Sequence, residues 1–107
     1  MPNADRLPPL DLLVAFEAVA RRGSITAAAA ERFITQSAMS RQIQALESAL
    51  GVPLFERRHR ALVLTAAGQR LLAATNAALG QLGEAVAAIR APQAPAPLAL
   101  TTTPSFA

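Results

Sequence analysis

Cysteine is absent from the 107 residues, so disulfides, thiolate metal sites and cysteine nucleophiles are excluded. A single histidine, His59, rules out any multi-histidine metal cluster. Trp and Tyr are missing too, and four Phe leave little scope for an aromatic platform that stacks bases. Lysine does not occur: all ten basic residues are arginines, set against seven carboxylates for a net +3. With so modest a balance, placement matters more than the total. No stretch of eighteen apolar residues occurs, and MPNADRLPP has no apolar signal core, so a soluble intracellular protein without a membrane partner is expected. No nucleophile–base pair, carboxylate dyad or metal set can be assembled, so neither an enzyme nor a bound cofactor is expected.

What is present is alanine. The apolar fraction is 52%, made of 26 alanines against 30 residues of Val, Ile, Leu, Met and Phe. Such a core suits thin helices crossing closely rather than a deep substrate pocket. The length allows one domain and an extra element. After a flexible lead ending in Pro8-Pro9, Leu12, Phe16 and Val19 recur at helical spacing from about Asp11, and Arg21-Arg22-Gly23 reads as that helix's end. Ser24 offers an N-cap for a short second helix through Ile25, Ala28, Ala29 and Arg32. Thr35 caps a third helix running to about Leu50, with Ile34 and Met39 placed as a hydrophobic staple and Gly51 closing it.

On a wheel of ~100° per residue, Gln36, Ser37, Ser40, Arg41 and Gln44 fall on one arc of the third helix, roughly 140° wide. Met39, Ile43, Leu46 and Leu50 share a separate arc of about 60°, suited to packing on helices one and two. A short helix, a tight turn and a longer helix with a Gln/Ser/Arg arc describe a helix-turn-helix. Gln pairs with the N6/N7 edge of adenine, Arg with guanine O6/N7 or phosphate, and serine hydroxyls adapt to either. Thr35 is counted with them, because the helix start presents unpaired N–H groups favourable to a phosphate. A solvated polar face accounts for these residues equally well when they are taken alone.

The following segment tips the balance. Val52-Pro53-Leu54-Phe55, the run Arg57-Arg58-His59-Arg60 and Leu62-Val63-Leu64 read as two short strands with a basic tip, although no Asn-Gly turn marks the connection. A β wing beside a helix-turn-helix sets such a tip against phosphates or in the minor groove. His59 has no constellation of His, Asp or Glu around it in sequence, so it is counted with the wing and not as a metal ligand or general base.

Thr65 caps a fourth helix to about Arg90, carrying Leu72, Thr75, Leu79, Leu82, Val86 and Ile89 at alternating spacings of three and four. That is a heptad seam, weakened by Gly80 and Gly83 at about 1 kcal/mol each. Twenty-five residues span ~38 Å, well past a small domain, so the seam predicts a homodimer that presents two reading helices to a two-fold DNA site. Packing on its own domain is the alternative use of the stripe. The expected organisation is 1–9 flexible lead, 10–66 winged helix-turn-helix, 66–91 linker and dimerisation helix, 92–98 proline-rich hinge, and 99–107 the first strand of a truncated effector-binding domain. The fold class is mainly α: three helices, a two-stranded wing and a long helix.

The run SITAAAAERFITQSAMSRQIQALESALGVPLFERRHRALVLTAAGQRLL resembles the DNA-binding domain of LysR-type transcriptional regulators, with TQSAMSRQIQALESALGVPLFERR and LTAAG as its most specific blocks. The opening RLPPLDLLVAFEAVARRGS and the closing LTTTPSFA are similar to the branch containing glycine-cleavage activators. This resemblance implies a bacterial, nucleoid-associated cytoplasmic regulator, dimeric here and tetrameric at full length, binding promoter DNA at a T and an A separated by eleven bases. A small-molecule effector would bind only in the C-terminal domain. The resemblance also implies that Gln36 and Ser37 begin the reading helix beside Ser40 and Arg41. By the same likeness Arg57, Arg58 and Arg60 match the basic wing, and Ser24 and Thr26 the phosphate-facing start of helix two. Met39 and Ile25 stand where valine and phenylalanine are more usual. Two other readings stay open, a winged helix used for protein contacts and a DNA-coating protein without sequence preference. Steep loss of affinity with salt marks phosphate contacts and separates DNA binding from an apolar protein interface.

Overall fold

Pro9 opens the first helix with a backbone bond, its carbonyl accepting from Leu12 N–H at 3.0 Å. This computed structural model of the chain describes residues 7–92. The elements are α1 (Leu10–Arg22), α2 (Ile25–Glu31), α3 (Gln36–Leu50), β1 (Phe55–Arg58), β2 (Ala61–Leu64) and α4 (Ala66–Arg90). Residues 1–6, the hinge expected at 93–98 and the strand expected at 99–107 lie outside the described residues.

Local chemistry sets the helix ends. Ser24, Thr35 and Thr65 each accept an N–H three residues on, from Ala27, Ala38 and Gly68, which satisfies one orphan donor per helix. Gly23 and Gly51 close α1 and α3 with φ of 66° and 76°, which glycine adopts freely. The backbone leaves α4 at Ala91 in extended geometry, as expected for a residue that precedes a proline. Helix α2 ends at Glu31, one residue before the expected Arg32, which serves as its C-cap.

The core lies where α1, α2 and α3 cross. Phe16 and Val19 from α1, Met39 and Leu46 from α3, and Leu54 just before β1 are its large members. Four of the ten buried apolar residues among those described are alanines, Ala15, Ala18, Ala28 and Ala29, so the helices approach closely. Ile34 packs beside this cluster, consistent with the staple. Leu50 departs from the expected apolar arc and is 38% exposed, because α3 has run past the core by its last turn.

The sheet is one antiparallel hairpin with Phe55 opposite Leu64 and Arg58 opposite Ala61. It starts later than the sequence pattern suggests: Val52 and Pro53 are exposed lead-in and Leu54 is core. Phe55 anchors the hairpin, its ring centroid 5.4 Å from that of Phe16. Gly68, on the first turns of α4, is buried so close to Leu54 that a Cβ there would overlap the Leu54 carbonyl oxygen. Further along α4, Leu72 packs beside the core, and Thr75 is buried with no partner for its hydroxyl among the described residues. The stripe thus begins inside the fold and emerges later: Leu79 is half-buried, while Leu82, Val86 and Ile89 are 50%, 42% and 79% exposed.

Candidate nucleic-acid interface

Helix α3 buries Met39, Ile43 and Leu46 and so turns the opposite arc outward. Thr35, Gln36, Ser37, Arg41 and Gln44 are exposed on it, and Ser40 is half-buried. The Thr35 hydroxyl oxygen caps Ala38 N–H at 3.1 Å and lies 3.3 Å from the Ser37 hydroxyl. The first turn of the helix is therefore ordered by its own side chains.

The wing does not carry its cations as one tip. Arg57 and Arg58 lie within β1, and only His59 and Arg60 form the connection. Both have positive φ, 52° and 69°, the backbone signs of a two-residue type I′ turn. Asn-Gly is the pair that suits such a turn, so His59-Arg60 makes it without the usual sequence signal and at a strain of roughly 1–2 kcal/mol for each L-residue there. Strand alternation then separates the arginines. Arg57 shares a face with Phe55 and Leu62, whereas Arg58 shares the other with Glu56. Arg58 pairs with Glu56 at 3.5 Å, with side chains 67% and 45% exposed.

The inner face of the wing looks onto the start of α2. There a cleft of about 180 Å³ brings together Ser24, Thr26, Gln36, Arg57 and Arg60 from three elements. Five of the residues singled out from sequence thus meet at one place. Ser40, Gln44 and Arg57 line an adjoining groove between α3 and β1. His59 is at the hairpin tip, and Arg58 lines neither depression.

Charge is distributed to match. Among the described residues, Arg41, Arg57 and Arg60 make no ion pair. At the corner of α1 and α2 two arginines are instead paired: Arg21 bonds Glu17 and Glu31, and Arg22 lies 3.5 Å from Glu31. Hydrogen bonds from Arg21 hold the Glu31 carboxyl below its ordinary range, and Glu31, then Glu17, keep Arg21 protonated beyond its own. Among the described residues no group of three or more His, Asp or Glu is placed to hold a metal ion.

Sequence reasoning missed Glu47 and the Thr65–Gly68 contact with residues 53–54. Glu47, half-buried on α3, accepts from Leu54 N–H at 2.7 Å. Thr65 donates its hydroxyl to Pro53 O at 2.8 Å. Both bonds join segments whose meeting is decided by the tertiary fold, so no local pattern announces them.

The model of the bacterial regulatory helix-turn-helix proteins of the LysR family matches residues 10–69. The chain belongs to the LysR family. It is 46% identical over 102 residues to the glycine cleavage system transcriptional activator of Escherichia coli (strain K12), which covers 95% of this chain and 33% of that protein. It is 53% identical over 64 residues to the transcriptional activator AmpR of Pseudomonas aeruginosa, covering 60% of this chain and 22% of that one. Among solved structures, the DNA complex of the CbnR DNA-binding domain matches with TM-score 0.69 and 40% identity over 78% of this chain and 95% of that one. The BenM DNA-binding domain bound to its benA site matches at TM-score 0.73 and 34% identity, covering 78% and 93%. The winged helix-turn-helix described above is therefore a LysR-type DNA-binding domain, and the LysR relatives named here are transcriptional regulators. The chain spans about a third of the length of the E. coli activator. No helix among the described residues is long and apolar enough to cross a membrane.

Proposed function

We propose that this LysR-type domain binds an interrupted inverted repeat in double-stranded promoter DNA as a homodimer, with α3 in the major groove and the wing on the adjoining backbone. The observation that carries the reading is the cleft in which unpaired Arg57 and Arg60 face Ser24, Thr26 and Gln36. Two unpaired guanidinium groups opposite two hydroxyls suit a phosphate, and the polar character of the site disfavours an apolar protein partner. Gln36, Ser37 and Arg41, exposed at the start of α3, serve as base-reading groups, with Thr35, Ser40 and Gln44 beside them. His59 stands at the wing tip and Arg58 on the wing's outer face, a secondary position.

The same proposal divides the chain into a winged domain at 10–66 and a linker helix at 66–91. It assigns Leu79, Leu82, Val86 and Ile89 to the dimer seam, and Leu72 and Thr75 to its inner end against the protomer's own core. In a full-length protein this domain would serve a tetramer spanning two such repeats, with effector sensing in a separate domain. Its action would be in the cytoplasm, on the nucleoid.

The deciding experiment mixes the purified chain with fragmented genomic DNA near physiological salt and sequences what is retained. Enrichment of an interrupted inverted repeat upstream of a few genes is the expected result. Retention without enrichment would replace it by nonspecific coating. No retention even at low salt would move the function to protein contacts.

A further inference from the structure

Residues 53–55 carry the chain from the core into the wing, and they are held from two sides. From α3, Glu47 Oε2 accepts from Leu54 N–H at 2.7 Å and from Phe55 N–H at 3.4 Å. From the start of α4, Thr65 donates its amide to Leu54 O at 3.0 Å and its hydroxyl to Pro53 O at 2.8 Å. Buried N–H groups need acceptors, but a half-buried carboxylate is a costly acceptor to set beside a surface meant for a polyanion. Its length is what it offers: an acceptor on α3 that reaches the first residue of β1. The consequence lies in the strand. Phe55 and Arg57 share the inner face, and a slip of one residue would turn Arg57 outward and bring Arg58 in.

We infer that Glu47 is a positioning residue for DNA recognition. By tying Leu54 and Phe55 to α3 it fixes the register of β1 and the distance from the reading face to Arg57 and Arg60, so that helix and wing engage one duplex together. The inference rests on the reading of the cleft as a phosphate site.

The test measures affinity across a salt series, using the 107-residue chain and a duplex carrying the repeat selected from genomic DNA. Measurements are made below the melting temperature of every variant. Each phosphate contact adds about 0.9 to the slope of log affinity against log salt. The control Arg57→Ala/Arg60→Ala is expected to flatten the slope by roughly two units. An unchanged control slope means that the cleft reading itself has failed. With the control in place, Glu47→Asp keeps the charge but shortens the reach, and is expected to flatten the slope to the same extent. Adding Glu47→Asp to the arginine pair should then cost nothing more. Glu47→Gln keeps the length and loses the charge, and is expected to stay near the wild-type slope. A wild-type slope in Glu47→Asp, a loss additive with the arginines, or equal effects of Asp and Gln would each overturn the assignment, the last by making charge or stability the cause.

Discussion

Gln36 lines a cleft where α3, the start of α2 and the wing converge, beside Ser24 and Arg57. Its replacement by Ala should weaken the selected site by about 1–3 kcal/mol and random DNA far less, as titrations on both duplexes would register. Equal losses would make it a positioning contact. The wing arginines divide by strand face, so Arg57→Ala should flatten the salt slope by about one unit, while Arg58→Ala leaves it nearly unchanged. Arg60 sits at φ 69°, where glycine carries no steric penalty. Arg60→Gly should therefore raise thermal stability by about 1 kcal/mol while weakening DNA binding, a trade visible by pairing calorimetry with titration. These residue types are legible in the chain, because polar side chains on one helical arc and arginines between two apolar runs are local signals. Which arginine faces which way is not. The basic run shows no register until Phe55 finds Phe16 and the hairpin turns at His59-Arg60.

At the scale of elements, the helix boundaries follow from caps and glycines, which act within three or four residues and so can be read along the chain. The start of β1 is harder to read, because Val52, Pro53, Leu54 and Phe55 look alike as an apolar run. Tertiary contacts divide them: Leu54 goes into the core and its carbonyl takes the Thr65 amide, leaving Phe55 to open the strand. The same carbonyl explains Gly68. Replacing Gly68 with Ala drives a methyl group into backbone that is already bonded, and should cost about 1–3 kcal/mol or more of stability. A chemical denaturation midpoint unchanged from wild type would show that α4 can shift aside. The α4 stripe also needs the fold for its interpretation. Spacing makes Leu72 to Ile89 one stripe, yet its inner part is spent on the chain's own core and the exposed apolar side chains lie beyond it.

For the molecule as a whole, size and exposure point the same way. A winged domain of about sixty residues buries little surface, so its stability is marginal by itself. Leu82, Val86 and Ile89 stand exposed on a helix that projects from it. Thermal stability should therefore rise with protein concentration, and Val86→Asp should abolish that dependence and give monomer mass in sedimentation. A wild-type melting temperature that does not move with concentration would remove the dimer.

The segregation of ion pairs has a kinetic consequence. With Arg21 and Arg22 held by Glu17 and Glu31, and Arg41, Arg57 and Arg60 unpaired on α3 and the wing, the field of a small net +3 is uneven. Arg32, Arg70 and Arg90 are the other unpaired arginines among the described residues. Near a polyanion such a particle feels a torque as well as a pull, and it rotates its unpaired end forward before any contact forms. Fewer encounters are then wasted on the wrong face. Added salt erases this aiming over about a nanometre, so it slows arrival on DNA as well as loosening what has already bound.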